Sequence, residues 1–200
     1  MSSSFDFQQA EADSPHLSSA AALHVTCLPG TLTSQRGAKT TAGLYRHLVR
    51  QGHAAHLALA RDKSASDNLA GGLIVMRHAC AQSRIFLVAY RPWSWLVALS
   101  SLGIRKAFVQ SQDLTRLQNA AKQLEPHDYI VAVYVAESFR RLGVARQLIE
   151  HALADANLRG VGIAVDTTLT NESAKNLYQS LGFKESYRTN VSVVFVKNID

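Results

Sequence analysis

Cysteine is scarce in this 200-residue chain: Cys27 and Cys80 are the only two, far apart and in no C-x-x-C pair. That excludes a disulfide framework and a thiolate zinc site, and it fits a reducing, cytoplasmic compartment. The eight histidines never fall into H-E-x-x-H spacing, so no metal is expected. The first 21 residues contain no lysine or arginine but do contain Asp6, Glu11 and Asp13. This matches neither a basic signal peptide nor an arginine-rich transit peptide. Residues 1–22 read instead as a disordered, serine-rich tail ahead of a single domain over 23–200. The apolar stretch Ile85–Ile104 is interrupted by Arg91 and Pro92, so no transmembrane span is expected. There is no internal repeat and no linker.

What is present is apolar and basic. Apolar residues make up 47% of the chain and charged ones 18%, a globular composition, with a net charge of +6. The positive charge favours an anionic partner without choosing among a phosphorylated cofactor, a nucleic acid or an acidic surface. Ser34–Arg50 places Thr41, Leu44, Leu48 and Val49 at helical spacing. Ala54–Ala60 and Leu69–Met76 read as a β-hairpin. Residues 79–127 read as a largely helical insert that carries Trp93 and Trp95.

The second half is more regular. Tyr129–Ala136 is rich in β-branched and aromatic residues and reads as a strand buried on both faces. A helix follows, with Ala145, Leu148, Ile149, Ala152 and Leu153 on one side, stopping near Gly160. "GIAVDT" is the next strand. A second helix starts at Asn171 as N-cap and stops at Gly182, and "FKESYR" and "SVVFVK" are two closing strands. This order indicates an α/β domain.

The junction between the first strand and helix reads "RRLGVA". A helix N-terminus leaves backbone N–H groups unpaired and carries partial positive charge. Glycine lets an anion approach them, and Arg140, Arg141 and Arg146 add full charges. Such a turn suits a pyrophosphate.

Arg140-x-x-Gly143-x-Ala145 resembles the R/Q-x-x-G-x-G/A motif of the GNAT acetyltransferase superfamily. "NESAKNLYQSLGF" is similar to that family's second motif at Asn171, Ala174, Leu177, Tyr178, Gly182 and Phe183. The resemblance covers about Asp128 to Tyr187. It implies a mixed central sheet flanked by helices, with the helical insert lying before the central coenzyme A-binding strand. It further implies acetyl-CoA as acyl donor and an amine as acceptor. The amides of Leu142, Gly143, Val144, Ala145 and Arg146 would hold the pyrophosphate, with Arg140 and Arg141 beside them. Val133 and Val135 would pair with the pantetheine arm, the Val135 amide polarising the thioester carbonyl. Asn171 would contact the same arm as well as cap its helix. Tyr178 would protonate the departing thiolate, although its spacing also suits a core tyrosine with a satisfied hydroxyl.

The base that deprotonates the amine stays open among His127, Asp128, Glu137 and water. The acceptor, a small molecule or a protein, would face the His24–Arg50 segment and the tryptophan insert. There Arg36, Lys39, Arg46 and Arg50 either attract an anionic amine or form a solvated helix face. Trp93 and Trp95 are candidates for docking a membrane or a second copy, a homodimer. A non-catalytic acyl-CoA sensor is the alternative. Nucleic acid is not expected as a partner, because the interleaved aromatic–basic pattern of RNA platforms is missing.

Overall fold

The computed structural model describes residues 5–31, 33–60, 69–77, 127–190 and 192–199. The expected helical insert over 79–127, with its tryptophans, lies outside the described residues except for His127. The strands form a seven-stranded mixed sheet in the order β1-β2-β3-β4-β5-β7-β6, and helices flank it. The chain divides into two compact units, residues 1–77 with 130–155 and residues 78–129 with 156–200.

The first unit begins with a correction. The segment expected to be a disordered tail is ordered from Phe5: β1 (Phe5–Gln9) pairs antiparallel with β2 (Ala54–Ala60), Phe5 opposite Ala60. Phe5 and Phe7 alternate with polar residues, a strand pattern that the surrounding serines and acids obscure in composition. Phe5 is buried, and its ring packs edge-on against Phe139 with centroids 5.8 Å apart. Helix α1 (His16–Cys27) likewise starts inside the expected tail, and its Leu17, Ala20, Ala21 and His24 are buried.

A 3-10 turn (Ser34–Arg36) leads into α2 (Gly37–Arg50), so the expected helix divides at Gly37, whose φ is 78°. Its buried face is Thr41, Ala42, Tyr45 and Leu48, one step round from the expected Leu44 and Val49. The hairpin of β2 with β3 (Leu69–Met76) forms as expected, antiparallel, with a bulge at Ala58/Leu59.

Strand β4 (His127–Val135) corrects a second expectation. Ile130, Ala132 and Tyr134 are buried, whereas Val131 is 39% exposed and Val133 and Val135 only half-buried. One face carries the core and the other is partly open. β-branched residues occupy both faces, so composition alone suggested a strand buried on both sides. After the 3-10 turn Glu137–Phe139 comes α3 (Val144–Leu158), with Leu148, Ile149, Ala152 and Leu153 buried as its periodicity requires.

The second unit contains β5 (Gly162–Thr168), α4 (Glu172–Ser180), β6 (Lys184–Arg188) and β7 (Ser192–Lys197). β7 pairs antiparallel with both β5 and β6. Gly160 and Gly182 end their helices at φ 68° and 84°, left-handed positions that favour glycine. Phe195, Ile163, Val193 and Phe183 form the core here.

Candidate active site

The end of β4 is packed tightly onto β3 because two glycines leave room. A Cβ on Gly71 would meet the Tyr134 carbonyl oxygen at 2.8 Å, and one on Gly72 would meet the Tyr134 hydroxyl at 2.5 Å. Sequence reading passed over both glycines, whose only signal was their adjacency within an apolar run. The Ala136 N–H donates to the Ala70 carbonyl of β3 at 2.9 Å. Successive amides along an extended chain alternate in direction, so the Val135 N–H faces away from β3. The Val135 carbonyl accepts two bonds from outside the ladder, from the Cys27 thiol at 3.4 Å and from Arg140 Nε at 3.3 Å. The last residue of α1 therefore touches the end of β4.

Beyond the 3-10 turn the backbone is strained. Arg141 has φ 65°, the one non-glycine residue at positive φ among the described residues, and Gly143 follows at 80°. A left-handed arginine costs on the order of 1 kcal/mol. The first bond along α3 runs from the Gln147 N–H to the Gly143 carbonyl at 3.0 Å. The amides just before it have no acceptor along the helix. Arg140, Arg141, Leu142 and Gly143 are exposed, and the first turn of α3 has no acidic residue. A Cβ on Gly143 would come only within 3.5 Å of Gln147 Nε2, so the protein itself leaves the space above this glycine open. Helix-start amides beside arginines and an open glycine are an arrangement that can hold an anion.

A buried polar chain lies behind β4 in the same unit. His24 is 3% exposed, and its Nδ1 lies 2.5 Å from the Tyr45 hydroxyl and its Nε2 3.2 Å from Thr31 Oγ1. Burial pulls the His24 pKa down to about 4, so the ring is neutral at neutral pH. The Tyr134 ring stands edge-on to His24 at 5.2 Å. Its hydroxyl lies near Tyr45 but has no well-directed hydrogen bond among the described residues. None of these four side chains was singled out from sequence, because their polar pairing is invisible to an apolar periodicity.

In the second unit Asn171 caps α4: its Oδ1 accepts the Ala174 N–H at 3.2 Å. The Tyr178 ring is buried between Phe183 and Phe195, with centroids 5.9 and 5.8 Å away. The expected core packing is therefore real, but the satisfied hydroxyl is not found. Among the described residues no hydrogen bond reaches that oxygen. Burial, with the Asp166 carboxylate second, pushes its pKa well above the usual 10. Leu181 and Phe183 are buried, whereas Leu177 is only half-buried.

Two of the candidate bases fall away. Asp128 is fully buried and ion-paired to Arg159, and His127 Nε2 meets Asn198 Oδ1 at 2.9 Å. Both begin β4, at the end of the strand opposite Val135. Glu137, just past Val135, is exposed. Among the described residues no cluster of three His, Cys, Asp or Glu side chains is suited to a metal, and no helix is long and apolar enough to cross a membrane.

Residues 107–183 match the acetyltransferase (GNAT) family. An aminoglycoside N(6')-acetyltransferase type 1 from Acinetobacter genomosp. 13 is 29% identical over 114 residues, covering 56% of this chain and 69% of that protein. Among solved structures, the ribosomal-protein-S18-alanine N-acetyltransferase of Escherichia coli superposes with a TM-score of 0.58 at 14% identity, covering 98% of this chain and 94% of that one. AAC(6')-Iy, in complex with the bisubstrate analogue CoA-S-monomethyl-acetylneamine, gives a TM-score of 0.57 at 20% identity, with 94% and 95% covered.

Proposed function

We propose that this chain, whose residues 107–183 match the acetyltransferase (GNAT) family, is an acyltransferase of that type and moves an acetyl group from acetyl-CoA to a primary amine of a small molecule or protein. The observation that carries this reading is the strained turn Arg141–Gly143 opening onto the amides at the start of α3. The amides of Leu142, Gly143, Val144, Ala145 and Arg146 hold the pyrophosphate, with Arg140 and Arg141 supplying charge. Val133 and Val135 lie on the partly open face of β4 and pair through their backbone with the pantetheine arm. Coenzyme A supplies the activated thioester.

The Val135 N–H donates to the oxygen of the acyl carbonyl, where negative charge grows as the amine attacks. Tyr178 gives its proton to the departing sulfur. Its raised pKa keeps the phenol protonated at neutral pH, and its hydroxyl, bonded to no described neighbour, is available for that transfer. Asn171 caps α4 and offers its amide to the pantetheine arm. Glu137 or a water takes the proton from the incoming amine, which must be neutral to attack. A cytoplasmic location belongs to the same reading.

The deciding experiment monitors release of free CoA thiol from acetyl-CoA across a broad panel of amines, beside calorimetric titration of acetyl-CoA. The expected result is binding together with amine-dependent release. Binding without release for any amine would leave an acyl-CoA sensor.

A further inference from the structure

One carboxylate of the second unit stands where the proposed chemistry needs a base. Asp166 lies on β5, two residues before the strand ends at Thr168. The Tyr129 hydroxyl donates to its Oδ1. Oδ2 has no hydrogen-bond partner among the described residues, and no cation there is paired with the carboxylate. Asp166 is half-buried, not sealed from solvent. The other described acids of this unit are engaged with cations: Asp128 with Arg159, Glu172 with Lys175 and Glu185 with Arg188. Asp166 alone among them keeps an oxygen to offer.

Its position relative to Tyr178 follows from the strand. Val165 is the register partner of Phe195, and the Tyr178 ring packs on Phe195 with centroids 5.8 Å apart. Side chains alternate along a strand, so Asp166 is turned to the face of β5 opposite Val165 and Tyr178. The two groups are still near enough for the carboxylate to act on the phenol's charge. In an acyl transfer the incoming nitrogen and the departing sulfur are bonded to one carbon. The group that takes the proton from nitrogen therefore stands across that carbon from the group that protonates sulfur. Once the nitrogen has bonded to the carbonyl carbon it is cationic and gives up its proton readily, so a carboxylate suffices.

Resting on the acetyltransferase reading, we propose that Asp166 is the catalytic base, its Oδ2 taking the proton of the attacking amine directly or through one water, and that Tyr129 is the positioning residue that holds Oδ1. As the N–C bond forms, the proton passes from nitrogen to Asp166. The C–S bond then breaks, and Tyr178 gives the proton with which CoA leaves as a free thiol. Solvent takes the proton from Asp166 and restores that of Tyr178, so the enzyme ends in its starting state.

The test uses the full chain and an amine that makes it release CoA from acetyl-CoA. Asp166→Asn keeps the side-chain shape and an acceptor for the Tyr129 hydroxyl but removes the base. Its kcat is expected to fall about a hundredfold or more, with acetyl-CoA affinity by calorimetry and the melting temperature close to wild type. Asp166→Glu should recover part of the loss. Tyr129→Phe should move the acid limb of the kcat/KM–pH profile to higher pH, because the donor that favours the charged carboxylate is gone. A tyrosine that only packs would lower the melting temperature and leave that profile in place. Full turnover by a folded, acetyl-CoA-binding Asp166→Asn overturns the inference and leaves the transferase reading standing. If Asp166→Asn does not fold, Asp166→Glu and Tyr129→Phe decide, and wild-type rates and pH profiles in both overturn it. If the wild-type chain releases no CoA with any amine, the transferase reading fails and the inference with it.

Discussion

Helices α3 and α4 begin in opposite ways. At α4 the Asn171 side chain accepts the Ala174 N–H, Glu172 stands in the first turn, and Lys175 holds Glu172 at 2.5 Å. Every local preference for a helix start is met from within the chain. At α3 the first turn has no acid, arginines surround it, and the approach passes through two left-handed residues, one of them Arg141. A terminus that completes itself is a structural joint. One that is strained, cationic and without an acid in its first turn suits an anion, and under the proposed function that difference separates a binding end from a scaffold.

The largest expected effect comes from removing residues 1–9. This exposes Phe5's packing partner Phe139, which lies in the turn leading to the cradle, and strips β2 of its edge partner. Loss of the Phe5 burial alone costs about 2 kcal/mol or more, so the melting temperature should fall by roughly 4–8 °C or more. Acetyl-CoA affinity should weaken with it; a folded truncated chain that binds as tightly as the intact one would show that the open terminus holds its shape unaided.

Next in size, Tyr178→Phe removes only a hydroxyl. Turnover is expected to drop about ten- to a hundredfold, with acetyl-CoA affinity nearly intact by calorimetry. Full turnover with a lowered melting temperature would return Tyr178 to the scaffold of α4.

The first unit carries a buried histidine that responds to acid. His24 is held neutral, its folded pKa near 4 lying below the unfolded 6.5. Its contribution to stability is therefore complete above pH 6.5 and is lost as the pH falls through 6.5 toward 4, by up to roughly 2–3 kcal/mol. Denaturant titrations at those two pH values should show that loss, and His24→Gln should shrink it. An unchanged pH slope in the variant would place the acid sensitivity elsewhere.

At α3 itself, Gly143→Val asks a β-branched residue to adopt φ 80° and sets a Cβ in the open space above the turn. Acetyl-CoA affinity should fall at least tenfold, roughly 1.4 kcal/mol, in a protein that still folds; equal affinity would remove the pyrophosphate from this turn. The smallest effect belongs to α4. Asn171→Ala should lose about 1 kcal/mol of stability and Asn171→Asp much less, since aspartate also caps. A large affinity loss in both would mean that Asn171 does more at the pantetheine arm than at its helix.

The turn proposed as a cradle could be picked out because its ingredients are local. A glycine, a run of arginines and the change from period 2 to period 3.6 all fall within a dozen residues around Arg140, and each has a physical meaning before any folding. The cap at Asn171 was legible for the same reason. Phe5 was not: its alternation with Phe7 spans too few residues to outweigh serines and acids on either side, and it becomes a strand only because β2 presents an unpaired edge. The open face of β4 was also hidden, since valine at 131, 133 and 135 is what a buried face would carry too. His127 and Asp128 looked like catalytic candidates until Asn198 and Arg159, distant in sequence, were seen to engage them.

By itself the sequence determined where helices and strands begin and end in the second half, and that a glycine and arginines meet at the turn after β4. Those properties depend on neighbours within one or two helical turns, where sterics and backbone hydrogen bonding act directly. Only the tertiary structure decided that Cys27 and Arg140 would share the Val135 carbonyl, that Gly71 and Gly72 would admit Tyr134, and that His24 would be buried and neutral. Each of these joins residues far apart in the chain. Close packing and desolvation, which set their geometry and charge state, exist only once those residues are brought together.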